Sequence, residues 1–119
     1  MNKRIRQKKR LTKYHFSKKD LWNLDVAMAK FCAEGVRQFI QMKRHTYPPD
    51  LTPEKWEEVL KEIHWSLDAV SHNLDTDPTY QNVVRGIEPT VDMEKEKEYS
   101  ERLNRGLELF GKYFRDLWD

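Results

Sequence analysis

Three stretches of this chain carry apolar residues at helical spacing, and prolines stand in the gaps between them. That combination constrains the fold more than any other feature. In the first stretch Leu21, Leu24, Met28, Phe31, Phe39 and Met42 share one side of a helix. Trp22, Val26, Ala29, Ala33, Val36 and Ile40 widen that side to more than half the circumference. A helix with so wide an apolar arc is expected to touch two neighbours, so the first helix is predicted to be central. In the second stretch Trp56, Val59, Leu60, Ile63, Leu67, Val70 and Leu74 keep a clean 3.6-residue period. In the third, Tyr99, Leu103, Leu107, Phe110, Phe114 and Leu117 form the stripe.

The helix ends are also written in the sequence. Ser17 followed by Asp20 is a capping box with Asp in the place of Glu. Tyr47-Pro48-Pro49 cannot continue a helix, so the first is predicted over 18–44. Thr52 caps the second, Pro53 fits its first position, Glu54 suits the positive end of the dipole, and Leu51 staples onto Trp56. The second helix is predicted over 53–73 and the third over 92–117, joined by a loop over 75–91 with Pro78, Gly86 and Pro89. Within that loop Val83-Val84 is a candidate strand-like piece or turn. Gly106 and Gly111 cost about 1 kcal/mol each in a helix interior and are read as close approach to the first helix. The expected fold is all-α: a three-helix bundle over 17–119 with a basic extension, residues 1–16, at its N-terminal side. At 119 residues it has room for one modest core.

Charge is divided unevenly. Residues 1–19 hold nine Lys or Arg and no acid, while the rest of the chain sums to −7 within an overall +2. Such an arm is drawn to phosphate or to an acidic protein surface. Fourteen aromatic residues argue against disorder. No apolar run reaches the ~20 residues of a membrane span, and no apolar segment follows the basic start as in a secretory signal. Cys32 is the single cysteine and is read as a small core residue in a reducing cytoplasm.

The candidate binding residues follow from this. Arg4, Arg6, Lys8, Lys9, Arg10 and Lys13 can neutralise phosphates, with Tyr14, His15 and Phe16 available to stack on bases. The alternative is a solubility tail, or one that folds back on the acidic body. Lys30, Arg37 and Arg44 recur every seven residues and either extend that positive track or form an ordinary solvated face balanced by Glu34. Lys61, Trp65, Asp68 and His72 make a candidate partner surface, unless Trp65 packs beneath the 75–91 loop. His64, Asp68 and His72 stand at i, i+4 and i+8, but about 12 Å of rise separates the histidines, so a polar flank is expected rather than a metal site. Asp25 falls on the apolar side of the first helix and is expected to find Arg102, Lys43 or the arm as a partner. No glycine-rich phosphate loop, GxSxG or paired-cysteine spacing is present. A binder rather than an enzyme is expected, without cofactor or metal.

Three blocks resemble a family of small proteins encoded in bacteriophage and prophage genomes: Asp20-Leu21-Trp22-Asn23-Leu24-Asp25, then Tyr47-Pro48 with 51–60 (LTPEKWEEVL), and 106–119 (GLELFGKYFRDLWD). The resemblance covers about 20–74 and 99–119, and carries no catalytic residues. It implies a stoichiometric inhibitor of a bacterial host defence system, acting in the host cytoplasm. Its partner would be a CRISPR-type effector complex or a signalling nucleotide held by an oligomer. Two alternatives stay open: a nucleic-acid-binding accessory protein using the basic arm, and an oligomeric assembly factor that dimerises through exposed aromatics.

Overall fold

The capping box at Ser17 forms. Its Oγ accepts from the Asp20 backbone N–H at 3.1 Å, and the Ser17 N–H donates back to the Asp20 carboxylate at 3.2 Å. Helix α1 begins there and runs over Lys18–Trp22. The computed structural model describes residues 15–75, 77–78 and 93–119. Among these it is all-helical: α1 is followed by α2 (Leu24–Gln41), α3 (Pro53–Ser71) and α4 (Met93–Tyr113), with a single 3-10 turn over Phe114–Asp116. Residues 1–14 of the arm and 79–92 of the loop, including Val83-Val84, lie outside the described residues.

Two boundaries of the first predicted helix are corrected. Asn23 leaves helical geometry (φ −126°, ψ 54°) and separates α1 from α2. Asn is a weak interior helix former, and its neighbours Leu21, Trp22 and Leu24 are all exposed, so no packing holds that turn together. The helix also stops at Gln41 rather than residue 44. Arg44 folds back instead, donating to the carbonyls of Phe39 and of Ile40 (2.8 Å), two groups left without partners in the last turn.

Helix α3 starts as its sequence dictates, with the Thr52 hydroxyl accepting from the Lys55 N–H at 3.1 Å, Pro53 in the first turn, and Leu51 packed beside Trp56. It ends in a Schellman pair: the Leu74 N–H reaches the Ala69 carbonyl and the Asn73 N–H the Val70 carbonyl, both at 2.9 Å. Asn73 (φ 54°) takes the left-handed position that glycine usually fills, and Leu74 (φ 60°) follows it.

The central helix is α3, not the first helix. It packs on α2 along one side and on α4 along the other, and nowhere among the described residues do α2 and α4 approach within 8 Å between Cα atoms. Its residues Trp56, Leu60, Ile63 and Leu67 make the core with Ala29, Ala33 and Val36 of α2 and Tyr113 of α4. Trp56 meets Tyr113 edge to face at 5.6 Å between centroids, and the Tyr113 hydroxyl donates to Asp50 at 3.0 Å. The expected core side of α2 is overturned with its position. Its small residues Ala29, Ala33 and Val36 face α3, where they let the two backbones come close, while Leu21, Trp22, Leu24, Met28, Phe31 and Met42 are exposed.

The glycines divide in the same way. A Cβ at Gly106 would stand 2.6 Å from the Glu62 carbonyl oxygen and 2.5 Å from the Ser66 Cβ, so this glycine is where α4 closes onto α3. At Gly111 nothing lies within 4 Å, so the expected close approach to the first helix is absent there.

Candidate functional site

Among the described residues the sequence-derived candidates do not assemble into one site. Arg4, Arg6, Lys8, Lys9, Arg10 and Lys13 lie outside the described residues; His15 and Phe16, which follow them, are exposed. The track of Lys30, Arg37 and Arg44 is not a free positive stripe. Lys30 is exposed, but Arg37 is held by Glu34 at 2.6 Å and by Gln41 at 3.2 Å. Arg44 is 7% exposed, ion-pairs with Glu57 and lies over the Phe39 ring at 5.2 Å. It clamps the end of α2 to α3. Hydrogen bonds from Arg37 and Gln38 hold the Glu34 carboxyl down at about 2.

The patch of Lys61, Trp65, Asp68 and His72 is only partly open. Trp65 is covered by α4, with the Arg102 guanidinium 4.0 Å above its ring and Tyr99 edge-on at 5.5 Å. Arg102 reaches Glu62 with two hydrogen bonds of 3.2 Å, which also removes it as a partner for Asp25; that carboxylate is exposed. Lys61 is exposed, and the His72 ring turns to the Asp68 carbonyl at 2.8 Å. Among the described residues no group of three His, Cys, Asp or Glu is placed to hold a metal ion.

The structure brings together a different set. Because the backbones of α2 and α4 stay apart on the two flanks of α3, an open groove of about 220 Å³ runs between them. Phe31, Gly35, Val36 and Phe39 line it from α2, and Phe110 and Phe114 from the other side. Phe110 and Phe114 stack edge to face at 5.5 Å. Phe31 is 82% and Phe114 60% exposed, and Leu24, Met28, Met42 and Leu107 extend the apolar face at either end. These side chains leave on the order of 600 Å² of apolar surface open, the upper end of what a monomer tolerates. Cys32 also lines the groove, and burial pushes its thiol up, away from the reactive thiolate. What this face offers a ligand is apolar area rather than acid–base chemistry.

The stripe that builds the face was visible in the sequence, but as core. Its distinguishing signal was size: the large side chains of α2 fall on one flank of the apolar arc and the alanines on the other.

A second feature ties the end of the fold to its middle. The Asp119 carboxylate accepts from the N–H groups of His45 (2.7 Å) and Thr46 (2.9 Å) and from the Thr46 hydroxyl (3.1 Å). Those bonds hold its carboxyl at about 2, below the ordinary 3.8. The contact fixes the 43–48 segment under which α3 begins.

Among the comparisons with known proteins, no family model matches the chain, and no curated protein or solved structure matches it. No helix among the described residues is long and apolar enough to cross a membrane.

Proposed function

We propose that this protein works by stoichiometric binding and that the open face between α2 and α4 is its working surface. The observation that carries the reading is the exposure of Phe31 and Phe114 on an apolar groove, in a chain that buries Trp56 and Tyr113 in its core. Contiguous apolar area of this size marks a protein contact surface. The resemblance to small phage proteins supplies the setting: inhibition of a host defence component in the bacterial cytoplasm, by occupying a protein surface rather than by turnover.

The test is capture from phage-infected cells with the parent chain and with a Phe31→Glu, Phe114→Glu variant. The reading expects one host protein retained by the parent at moderate salt and lost by the variant. Retention by both removes the face from the account.

A second reading draws on the charge division. Nine basic residues without an acid in 1–19 support phosphate contact by the arm, in a nucleic-acid-binding accessory role. It predicts nucleic acid shed steeply as salt rises, and lost altogether when residues 1–13 are removed.

A further inference from the structure

The apolar stripe of α2 is positionally palindromic. Around Gly35, Phe31 and Phe39 stand four residues to either side, and Met28 and Met42 seven residues to either side. A helix stripe with that symmetry meets its own copy, run antiparallel, with like residues opposed: Phe31 against Phe39, Met28 against Met42, Gly35 against Gly35. Any antiparallel two-fold pair brings i to j and j to i; centred on Gly35, this one opposes aromatic to aromatic with no side chain at the crossing, and sets Met28 against Met42 at the C-cap.

Three further observations point the same way. First, Gly35 makes no close approach to another element among the described residues. Nothing lies within 4 Å of where its Cβ would stand, whereas a mid-helix glycine costs about 1 kcal/mol. At a helix crossing, a residue without a side chain allows close backbone approach. Second, the charges beside the stripe do not oppose pairing: Glu34 and Arg37 neutralise each other on the same helix. Third, the open apolar area, on the order of 600 Å², is close to the ~800 Å² each partner contributes to a standard interface.

We infer that the occupant of the α2–α4 face is a second copy of this chain, docked antiparallel through α2 with Gly35 at the two-fold axis. The inference rests on the reading of that face as a protein contact surface: the second copy takes the face itself, and a host protein is met by the dimer, so a variant that dissociates the dimer also loses capture. Packing Phe31 of each copy towards Phe39 of the other fills the groove from both sides. The second neighbour that the wide apolar arc of α2 called for is then supplied by the dimer.

The test is sedimentation equilibrium on the full chain from low micromolar to submillimolar concentration. The parent, Gly35→Glu and Phe31→Glu are compared, and circular dichroism checks that each is folded. Gly35→Glu is well suited because the site has open space in a single chain, while a two-fold pair would face like charges across the axis. The expected result is a parent of dimer mass, with dimerisation weakened about a hundred-fold or more in both variants and helix content unchanged. A Gly35→Glu dimer as tight as the parent overturns the inference, as does a parent of monomer mass throughout. In the monomer case, host-protein capture by the parent that Phe31→Glu abolishes leaves the binding-surface reading intact. Capture that Phe31→Glu does not disturb ends both.

Discussion

Helices α2 and α3 present apolar arcs of similar strength in sequence, yet they meet opposite fates. Every large apolar residue at the heart of α3 is sealed; Leu60 and Ile63 have no exposed surface. On α2 only Ala29, Ala33 and Val36 are buried; Phe39 and Ile40 are partly buried, and Leu24, Met28 and Phe31 stand in the open. The difference lies in what each helix has beside it. α3 has a neighbour on both flanks, and α4 reaches it closely because Gly106 lacks a side chain. α2 has α3 alone. Apolar periodicity says that a face is to be covered; it does not say by which element, or whether that element belongs to the same chain.

The widest break in this comparison is between paired truncations. Leu60→Ala should destabilise the fold by about 2–5 kcal/mol, read from urea unfolding, because it opens a cavity in a sealed core. Phe31→Ala, a larger deletion on α2, should change stability by less than about 0.5 kcal/mol at concentrations where the chain is monomeric. A similar loss at both positions would erase the distinction.

The glycines sharpen it next. Gly106→Ala should lose about 2 kcal/mol or more, since the new methyl group meets the Glu62 carbonyl and the Ser66 side chain. Gly111→Ala should instead gain up to about 1 kcal/mol from helix propensity alone. Opposite signs in thermal unfolding are expected from two substitutions five residues apart on the same helix.

A smaller effect separates the α3–α4 seam from the open groove. Arg102→Ala removes a guanidinium that covers Trp65 and meets Glu62, and should cost about 1 kcal/mol, moderated by the partial exposure of the ion pair. Trp65 fluorescence should shift to longer wavelength as its ring is uncovered. An unchanged spectrum and stability would place the ring outside the seam.

The smallest is pH dependence at the 43–48 segment. Asp119 has its carboxyl lowered from 3.8 to about 2 in the fold. A lowered carboxylate contributes stability at pH above 3.8, and that contribution fades as pH falls through about 2. The backbone amide resonances of His45 and Thr46 should report the titration near the lower value, and Asp119→Asn should remove it.

The local signals in the sequence were sufficient for the caps. Ser17 with Asp20, and Thr52 with Pro53, Leu51 and Trp56, act within a few residues and formed as expected. The all-helical class followed from the period. Three kinds of feature were out of reach. The end of α3 uses Asn73 in a left-handed conformation, where only a glycine would have announced it. Arg44 belongs to a clamp whose partner, Glu57, comes from another helix, so its position in a seven-residue repeat suggested a surface stripe. Gly106 and Gly111 look alike in sequence and differ only in which way α4 faces. The candidate face suffered most from this: its phenylalanines, methionines and leucines were identified as apolar and helical and Gly35 was not singled out, and placing them required knowing that α3, not α2, is central.

The central claim is that the α2–α4 face serves binding and not the stability of the single chain. The most direct measurement is urea unfolding of a Phe31→Ser, Phe114→Ser double variant beside the parent, both at a concentration where each is monomeric. The account predicts midpoints that agree within about 0.5 kcal/mol, because the two rings are exposed at 82% and 60%. A loss of about 2 kcal/mol or more would contradict it, and would make the two phenylalanines part of the core.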